Sequence, residues 1–271
     1  MVATDFSVLI SVYAKENPDH LREALNSIWE GQSLKPFEII LVEDGPLTDD
    51  LEKVIEQFSQ KAPLRIHKLE INSGLGVALA EGLKLCSCNL VARMDSDDIS
   101  TADRFEKQVT FMSEHPEIGV SGTYIAEFVT TANNIVSYRR LPTEYSDIRH
   151  FAKRRNPLNH MTVIFRKEAV LSSGNYVTFH GYEDYYLWVR MLHNNINIVN
   201  LPEIMVYARI KDIYSKRRGI KLFTIEFDLQ KKILGIGFIN KMNFISNIFF
   251  RALPRLLPVG CLKLVYKLIR N

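Results

Sequence analysis

Four short apolar segments separated by helical spacings fill the first hundred residues, and no other feature of the chain narrows its fold as much. Phe6 to Val12 reads as a buried strand. Asn17-Pro18 then supplies an N-cap and a first-turn proline, and Leu21, Ala24, Leu25, Ile28 and Trp29 fall on one face of a helix. Phe37 to Val42 reads as a second strand. Leu51, Val54, Ile55 and Phe58 repeat the helical spacing, Leu64 to Leu69 is a third strand, Leu75 to Leu85 a helix, and Leu90 to Met94 a fourth strand. Continuous apolar strands alternating with helices require a largely parallel sheet covered on both faces, so the fold class is α/β.

Beyond Glu117 the spacing predicts strands over Val120 to Val129 and Asn134 to Leu141, a short helix near Tyr145 to Lys153, and a strand over Met161 to Arg166. A helix from about Tyr182 to His193 follows, then Pro202 and a strand ending near Arg209. No internal repeat or low-complexity linker interrupts this. At 271 residues, 46% of them hydrophobic, one large core accommodates the whole pattern, so the second half is expected to complete the same sheet.

In an open α/β sheet the ligand lies beyond the carboxyl ends of the strands. Those ends carry Ser11, Glu43-Asp44-Gly45, and Asp95-Ser96-Asp97-Asp98, and the third strand runs into Asn72-Ser73-Gly74. Three carboxylates within four residues repel unless a cation joins them, and hard divalent ions such as Mn²⁺ or Mg²⁺ take carboxylate oxygens while leaving positions for phosphates. The segment therefore reads as a metal bridge to a diphosphate. On spacing alone it suits an acidic cap on a helix starting near Thr101 as well, and its place at a strand end favours the metal. Glu43-Asp44-Gly45 offers a carboxylate to a base or ribose, or forms a plain turn. Gly74-Leu75-Gly76 lacks the third glycine of a dinucleotide fingerprint and follows the third strand rather than the first. No P-loop, Ser-His-Asp or Cys-His pattern is present, and the histidines have no metal-ligand spacing.

Glu183-Asp184, at the start of the later helix, stand among Tyr182, Tyr185, Tyr186 and Trp188. Aromatic faces beside a carboxylate suit a sugar and a base for its acceptor hydroxyl. The order Ser7 to Tyr13, Val42-Glu43-Asp44-Gly45, Asp95-Ser96-Asp97-Asp98, then Glu183-Asp184-Tyr185 with Trp188 resembles the inverting GT-A glycosyltransferases of family 2. The ending Val206 to Arg209, with Tyr214 to Gly219, resembles the branch that builds bacterial capsules, O-antigens and exopolysaccharides. The likeness spans residue 6 to about 240.

That resemblance implies a GT-A fold, a Rossmann-like mixed sheet flanked by helices. The catalytic domain would cover 1–210, with nucleotide-sugar binding over about 1–115 and the acceptor side over about 116–210. It implies donor contacts from Ser11, Glu43, Asp44, Asn72 and Asp95, a Mn²⁺ or Mg²⁺ ion on Asp97 and Asp95, and Asp184 as general base at an ordinary acidic pKa. His160, Glu183, Trp188, Arg217 and Arg218 are the expected acceptor or phosphate contacts. Glu43 replaces the family's usual Asp, and Lys211 stands near its usual His, which leaves the third metal contact open. The expected activity is transfer of one sugar from a UDP-sugar, UDP-galactose or UDP-glucose by family frequency, to an undecaprenyl-diphosphate-linked glycan. Two other functions fit the same fold: a sugar nucleotidyltransferase, which should carry a glycine-rich basic loop where Tyr13 to Asn17 stand, and a non-catalytic carbohydrate-binding scaffold.

Charge separates the chain into two regions. From Arg209 onward there are 14 Lys or Arg against 3 Asp or Glu, leaving 20 against 28 in residues 1–208, so a basic tail of +11 follows a body of −8. In the tail Ile245, Ile248, Phe249, Ala252 and Leu253 hold helical spacing up to Pro254, and Leu262, Val265, Leu268 and Ile269 share a face opposite Lys263, Lys267 and Arg270. A basic amphipathic region of this kind over 211–271 is expected to meet anionic lipid rather than nucleic acid, or else to pack on the body. No apolar run reaches 18 residues and no leader pattern precedes Phe6, so the expected location is the cytoplasmic membrane surface, with Cys86, Cys88 and Cys261 reduced.

Overall fold

The computed structural model describes residues 5–210 and 219–256. Strands β1 (Phe6–Val12), β2 (Glu38–Glu43), β3 (Leu64–Lys68) and β4 (Leu90–Met94) alternate with helices α1 (Pro18–Ile28), α2 (Asp49–Ser59) and α3 (Leu75–Leu85). A short β5 (Ile99–Ser100), α4 (Arg104–Glu114), β6 (Ile118–Phe128), β7 (Ile135–Arg139) and α5 (Tyr145–Ala152) follow. Then come a 3-10 turn (His160–Thr162), β8 (Ile164–Arg166), α6 (Lys167–Ser172), α7 (Glu183–His193), β9 (Asn197–Arg209), α8 (Ile220–Gly235) and α9 (Lys241–Asn247).

All strands join one sheet in the order β3-β2-β1-β4-β8-β6-β9-β5, with β7 on β6. The first four strands are parallel, as expected; β8 runs antiparallel to both β4 and β6, and β6 pairs with β9 in parallel, which makes the sheet mixed. Strand pleating divides the core. Val8, Ile10, Ile39, Leu41, Ala92 and Met94 pack with α1, α2 and α4 on one face. Leu9, Ile40, Val42 and Val91 meet α3, α5, α7 and α8 on the other. Each fully buried side chain of this size contributes about 1.5 to 3 kcal/mol.

Where the expected boundaries moved, the cause is local. The strand expected over Met161 to Arg166 opens as the 3-10 turn, with Thr162 Oγ1 donating to the Asn159 carbonyl at 2.8 Å. The helix expected near Thr101 starts at Arg104. Pro202 was expected to precede the last strand but lies inside β9: the register jumps from Leu201 opposite Thr123 to Ile204 opposite Tyr124, so Pro202 and Glu203 form a bulge that needs no ladder hydrogen bond. The short α6 gave too few turns for a periodic signal. Of the tail, α8 packs on the α3–α7 face through Leu229 and Ile233, and a turn over 236–240 leads into a second helical run from Lys241 to Leu256. Leu262 to Arg270, Lys211, Arg217, Arg218 and Cys261 lie outside the described residues.

Candidate active site

The carboxyl ends of β1, β2 and β4 bring Ser11, Glu43-Asp44 and Asp95 to one edge of the sheet. Asp44 is already engaged. Its Oδ1 accepts from the Ser73 backbone N–H at 2.7 Å and its Oδ2 from that of Gly74 at 3.0 Å, while Asn72 Nδ2 donates to the Asp44 carbonyl at 3.1 Å. The carboxylate thus holds the start of α3; Oδ1 also accepts the Gly74 N–H at 3.3 Å, so the lone pair left over is on Oδ2. Gly45 makes the approach possible: its φ is +83°, and a Cβ there would lie 2.5 Å from the Asn72 nitrogen. Glu43 is buried and paired to Lys68 at 3.0 Å, so it serves the β2–β3 edge and is not open to a base or ribose. This corrects its expected donor contact.

The acidic segment after β4 does not continue as a strand; it turns. Arg93, 1% exposed, pairs with Asp95. Asp98 is buried and its Oδ1 accepts the Arg209 backbone N–H at 2.7 Å. The Arg209 guanidinium closes the turn from the far end of β9, donating from Nε to the Asp97 carbonyl at 3.1 Å and from Nη2 to Glu23 at 2.5 Å. Burial, opposed by Arg93 and reinforced by Asp97, raises the Asp95 carboxyl, and burial with the Asp95 and Asp97 charges raises Asp98 much further.

Charges crowded so that Asp95 and Asp98 are raised form a site that a cation would relieve. Asp98 faces Arg209, so Asp97 and Asp95 are the residues fit to hold a hard divalent ion, with phosphate and water completing its shell. Among the described residues no cluster of three or more His, Cys, Asp or Glu is arranged to hold a metal alone. A dication there would depend on its substrate's phosphates.

Asp184 stands in the first turn of α7, half-buried, and accepts from Asn156 Nδ2 at 2.5 Å. Burial raises its carboxyl above the usual range, opposed by the Tyr185 N–H, Asn156 and the Arg139 charge and reinforced by Asp95. Expectation had put this group at an ordinary pKa. Burial moves it above that range instead. The Asp95 charge reaches both Asp184 and Tyr176, which links the strand-end carboxylates to α7 electrostatically. Glu183 is buried, its carboxyl raised chiefly by burial, and Gly76 of α3 is packed against it; a Cβ on Gly76 would sit 2.8 Å from Glu183 Cγ and 2.9 Å from the Val177 carbonyl oxygen.

Three aromatic expectations change. Trp188 is fully buried, edge-on to His160 at 6.0 Å between centroids, so it has no face for a sugar. Tyr185 is also core, its hydroxyl donating to the Ala152 carbonyl at 2.7 Å. His160 is buried with Nε2 3.0 Å from the Tyr176 hydroxyl, and burial together with Arg93 lowers its pKa well below the usual range; it stays neutral and structural rather than meeting an acceptor. Sequence reasoning passed over Arg93, Asn156 and Arg209. An arginine inside the apolar run Leu90 to Met94 was the one visible signal among them, since a buried cation needs a partner.

Sheet order, carboxylate turn and acid-bearing helix define a GT-A glycosyltransferase. Residues 7–174 match the family model for glycosyl transferase family 2, and the chain belongs to that family. It is similar to an uncharacterized glycosyltransferase of Haemophilus influenzae (44% identity; 97% of each chain covered). It is also similar to the amylovoran biosynthesis glycosyltransferase AmsE of Erwinia amylovora (40%; 97% of this chain and 98% of that one). A third relative is the Escherichia coli UDP-Gal:alpha-D-GlcNAc-diphosphoundecaprenol beta-1,3-galactosyltransferase (35%; 97% and 95%). The fold matches S. aureus TarS in complex with UDP-GlcNAc, with TM-score 0.68 at 20% identity over 93% of this chain and 72% of that one. It matches a Pyrobaculum calidifontis mannosyltransferase in complex with GDP-Man and Mn²⁺ with TM-score 0.66 at 15% identity, over 98% and 76%.

Proposed function

We propose that this glycosyltransferase moves a single hexose from a UDP-sugar, galactose or glucose, to a lipid-linked glycan with inversion, in the assembly of a surface polysaccharide at the cytoplasmic face of the membrane. The observation that carries this reading is the half-buried Asp184, oriented by Asn156 and within the field of Asp95. A base held by a directional hydrogen bond beside a diphosphate-type carboxylate site is what a direct displacement needs. The lipid-linked acceptor is supported by the name of the Escherichia coli relative, and surface polysaccharide by that of the Erwinia relative.

In this reading Ser11, Asn72 and Asp44 Oδ2 meet the uridine, and Asp95 and Asp97 face the diphosphate. A Mn²⁺ or Mg²⁺ ion bound there would stabilise charge developing on the leaving UDP. Asp184 accepts the proton of the attacking hydroxyl as the new bond forms on the opposite face of the anomeric carbon, and the bond to the diphosphate breaks. Glu183 shapes the acceptor side from its packed position against Gly76. Residues 1–210 form the catalytic domain, divided near 115 into donor and acceptor portions, and 211–271 form the membrane-directed tail, where Arg217 and Arg218 suit lipid diphosphate.

The test is transfer from UDP-galactose, UDP-glucose and UDP-N-acetylglucosamine to a polyprenyl-diphospho-sugar, with Mn²⁺ or Mg²⁺ and with EDTA. One donor consumed with inversion, release of UDP and loss of turnover in EDTA is the expected result. Conversion of the UDP-sugar to sugar 1-phosphate and UTP when pyrophosphate is added would indicate nucleotidyl transfer, and absence of any donor binding would leave a scaffold; either outcome overturns the reading.

A further inference from the structure

The helical run from Lys241 to Leu256 has two unlike faces. On the inner one Asn247 donates from Nδ2 to the Lys153 carbonyl and to Gln230 Oε1, both at 2.8 Å, Ala252 is fully buried, and Arg251 reaches Glu226 at 2.8 Å. On the outer one Met242, Ile245, Phe249, Leu253 and Leu256 recur at intervals of three or four residues, exposed by 79%, 67%, 60%, 41% and 48%, with Phe250 beside them at 61%. Large apolar side chains left in water over four turns mark a contact surface. Nothing in the described part of the chain covers them.

Charge selects the occupant. From Leu229 to Asn271 the chain has eight Lys or Arg and no Asp or Glu. Arg251 and Arg255 are held by Glu226, while Lys231, Lys232 and Lys241 stand exposed; such a segment repels a second copy of itself and is drawn to an anionic interface, where each exposed basic residue adds about 1 kcal/mol close to the surface. The run is too short to span a bilayer, and no helix among the described residues is long and apolar enough to do so. An amphipathic helix of this kind lies in the interface plane with its apolar face among the acyl chains.

We propose that Met242, Ile245, Phe249, Phe250 and Leu253 form a lipid-docking face that seats the enzyme on an anionic bilayer. The face is also fastened to the catalytic helix. Glu226, fully buried, accepts from Arg251, from Arg255 at 2.9 Å and from the hydroxyl of Tyr182, the residue preceding Glu183-Asp184. Docking therefore fixes the orientation of the acceptor side toward the membrane. This deepens the proposed use of a lipid-linked acceptor and rests on it only for its purpose, since the face itself is read from exposure and charge.

The experiment is co-sedimentation of the full chain with vesicles of phosphatidylglycerol and phosphatidylethanolamine, and with neutral phosphatidylcholine vesicles, for the wild type, Ile245→Ser/Phe249→Ser and Met242→Ser/Phe250→Ser. Binding of UDP with Mn²⁺ and circular dichroism on the same samples report an intact catalytic body. Wild type that sediments with the anionic vesicles, with the bound fraction falling about tenfold or more in both double variants while UDP binding persists, is the expected result. Wild type remaining in the supernatant, or variants sedimenting as well as wild type, overturns the docking face. So does a wild-type dimer in light scattering that becomes monomeric in the variants without any vesicle binding, because the face is then a contact between copies. Loss of UDP binding in the wild type would instead refute the glycosyl-transfer reading and leave the sedimentation result standing.

Discussion

Asn156, in the loop between α5 and the 3-10 turn, donates its amide N–H to Asp184 Oδ2 at 2.5 Å and so fixes the carboxylate at the head of α7. The bond acts in two ways. It orients one oxygen of the carboxylate, and it opposes the burial that raises the carboxyl.

Asp184→Asn is expected to abolish transfer while UDP and UDP-sugar still bind, because the amide keeps the shape but accepts no proton. It is also expected to raise the melting temperature. A carboxyl raised by burial is harder to ionise in the folded than in the unfolded chain, so at neutral pH its charge opposes folding, and the neutral amide removes that opposition. Calorimetry beside a turnover assay checks both, and an unchanged rate would remove Asp184 from the chemistry.

Asn156→Ala removes a bond that favours the charged form, so the Asp184 carboxyl rises further. A base must be deprotonated to act; activity is therefore present above its pKa and lost as pH falls through it. The acid limb of the kcat profile should move to higher pH in the variant, with a roughly tenfold or smaller loss at the plateau, the scale of one hydrogen bond. A uniform loss with an unmoved limb would show that Asn156 acts only through packing.

Gly76→Ala places a methyl 2.9 Å from the Val177 carbonyl oxygen and 2.8 Å from Glu183 Cγ. Backbone cannot yield as a side-chain end can, so the starts of α3 and α7 must separate, at about 1 to 3 kcal/mol. Because α3 carries the Asp44 contacts and α7 carries Asp184, kcat should fall more than stability alone explains. Stopped assays at temperatures well below the melting point separate the two effects.

Periodicity sufficed for β1, β2 and β4 because each is buried along its whole length, while β3 is a partly exposed edge strand; Asn17 accepts from the Asp19 N–H at 2.8 Å where the N-cap was expected. It missed what depends on distant pairing. The antiparallel insertion of β8 between β4 and β6 is set by Ala92 meeting Ile164 and Val120 meeting Phe165, contacts between residues too far apart in sequence to register as a pattern. The family's acids were legible as types in order. Their partners were not: Arg209 lies 111 residues from Asp98, and Trp188 differs from a sugar-stacking ring only in being covered.

Glu226 offers the sharpest test of how the tail and the body cooperate. Burial works against its charge, yet Arg251 and Arg255, with the Tyr182 hydroxyl, bring its pKa down to about 2. The folded value lies below the unfolded one, so its stabilisation is fully present above about pH 4.5 and is lost as pH falls toward 2. Glu226→Ala leaves the arginines facing each other without their counter-charge and should cost about 3 to 5 kcal/mol. The milder Glu226→Gln keeps the shape and should loosen Tyr182 with less unfolding. Since Tyr182 precedes Glu183, transfer should fall in Glu226→Gln while UDP affinity, which the proposed function assigns to the β1, β2 and β4 ends, stays unchanged. Parallel loss of both would mean that Glu226 supports the fold as a whole and does not position α7.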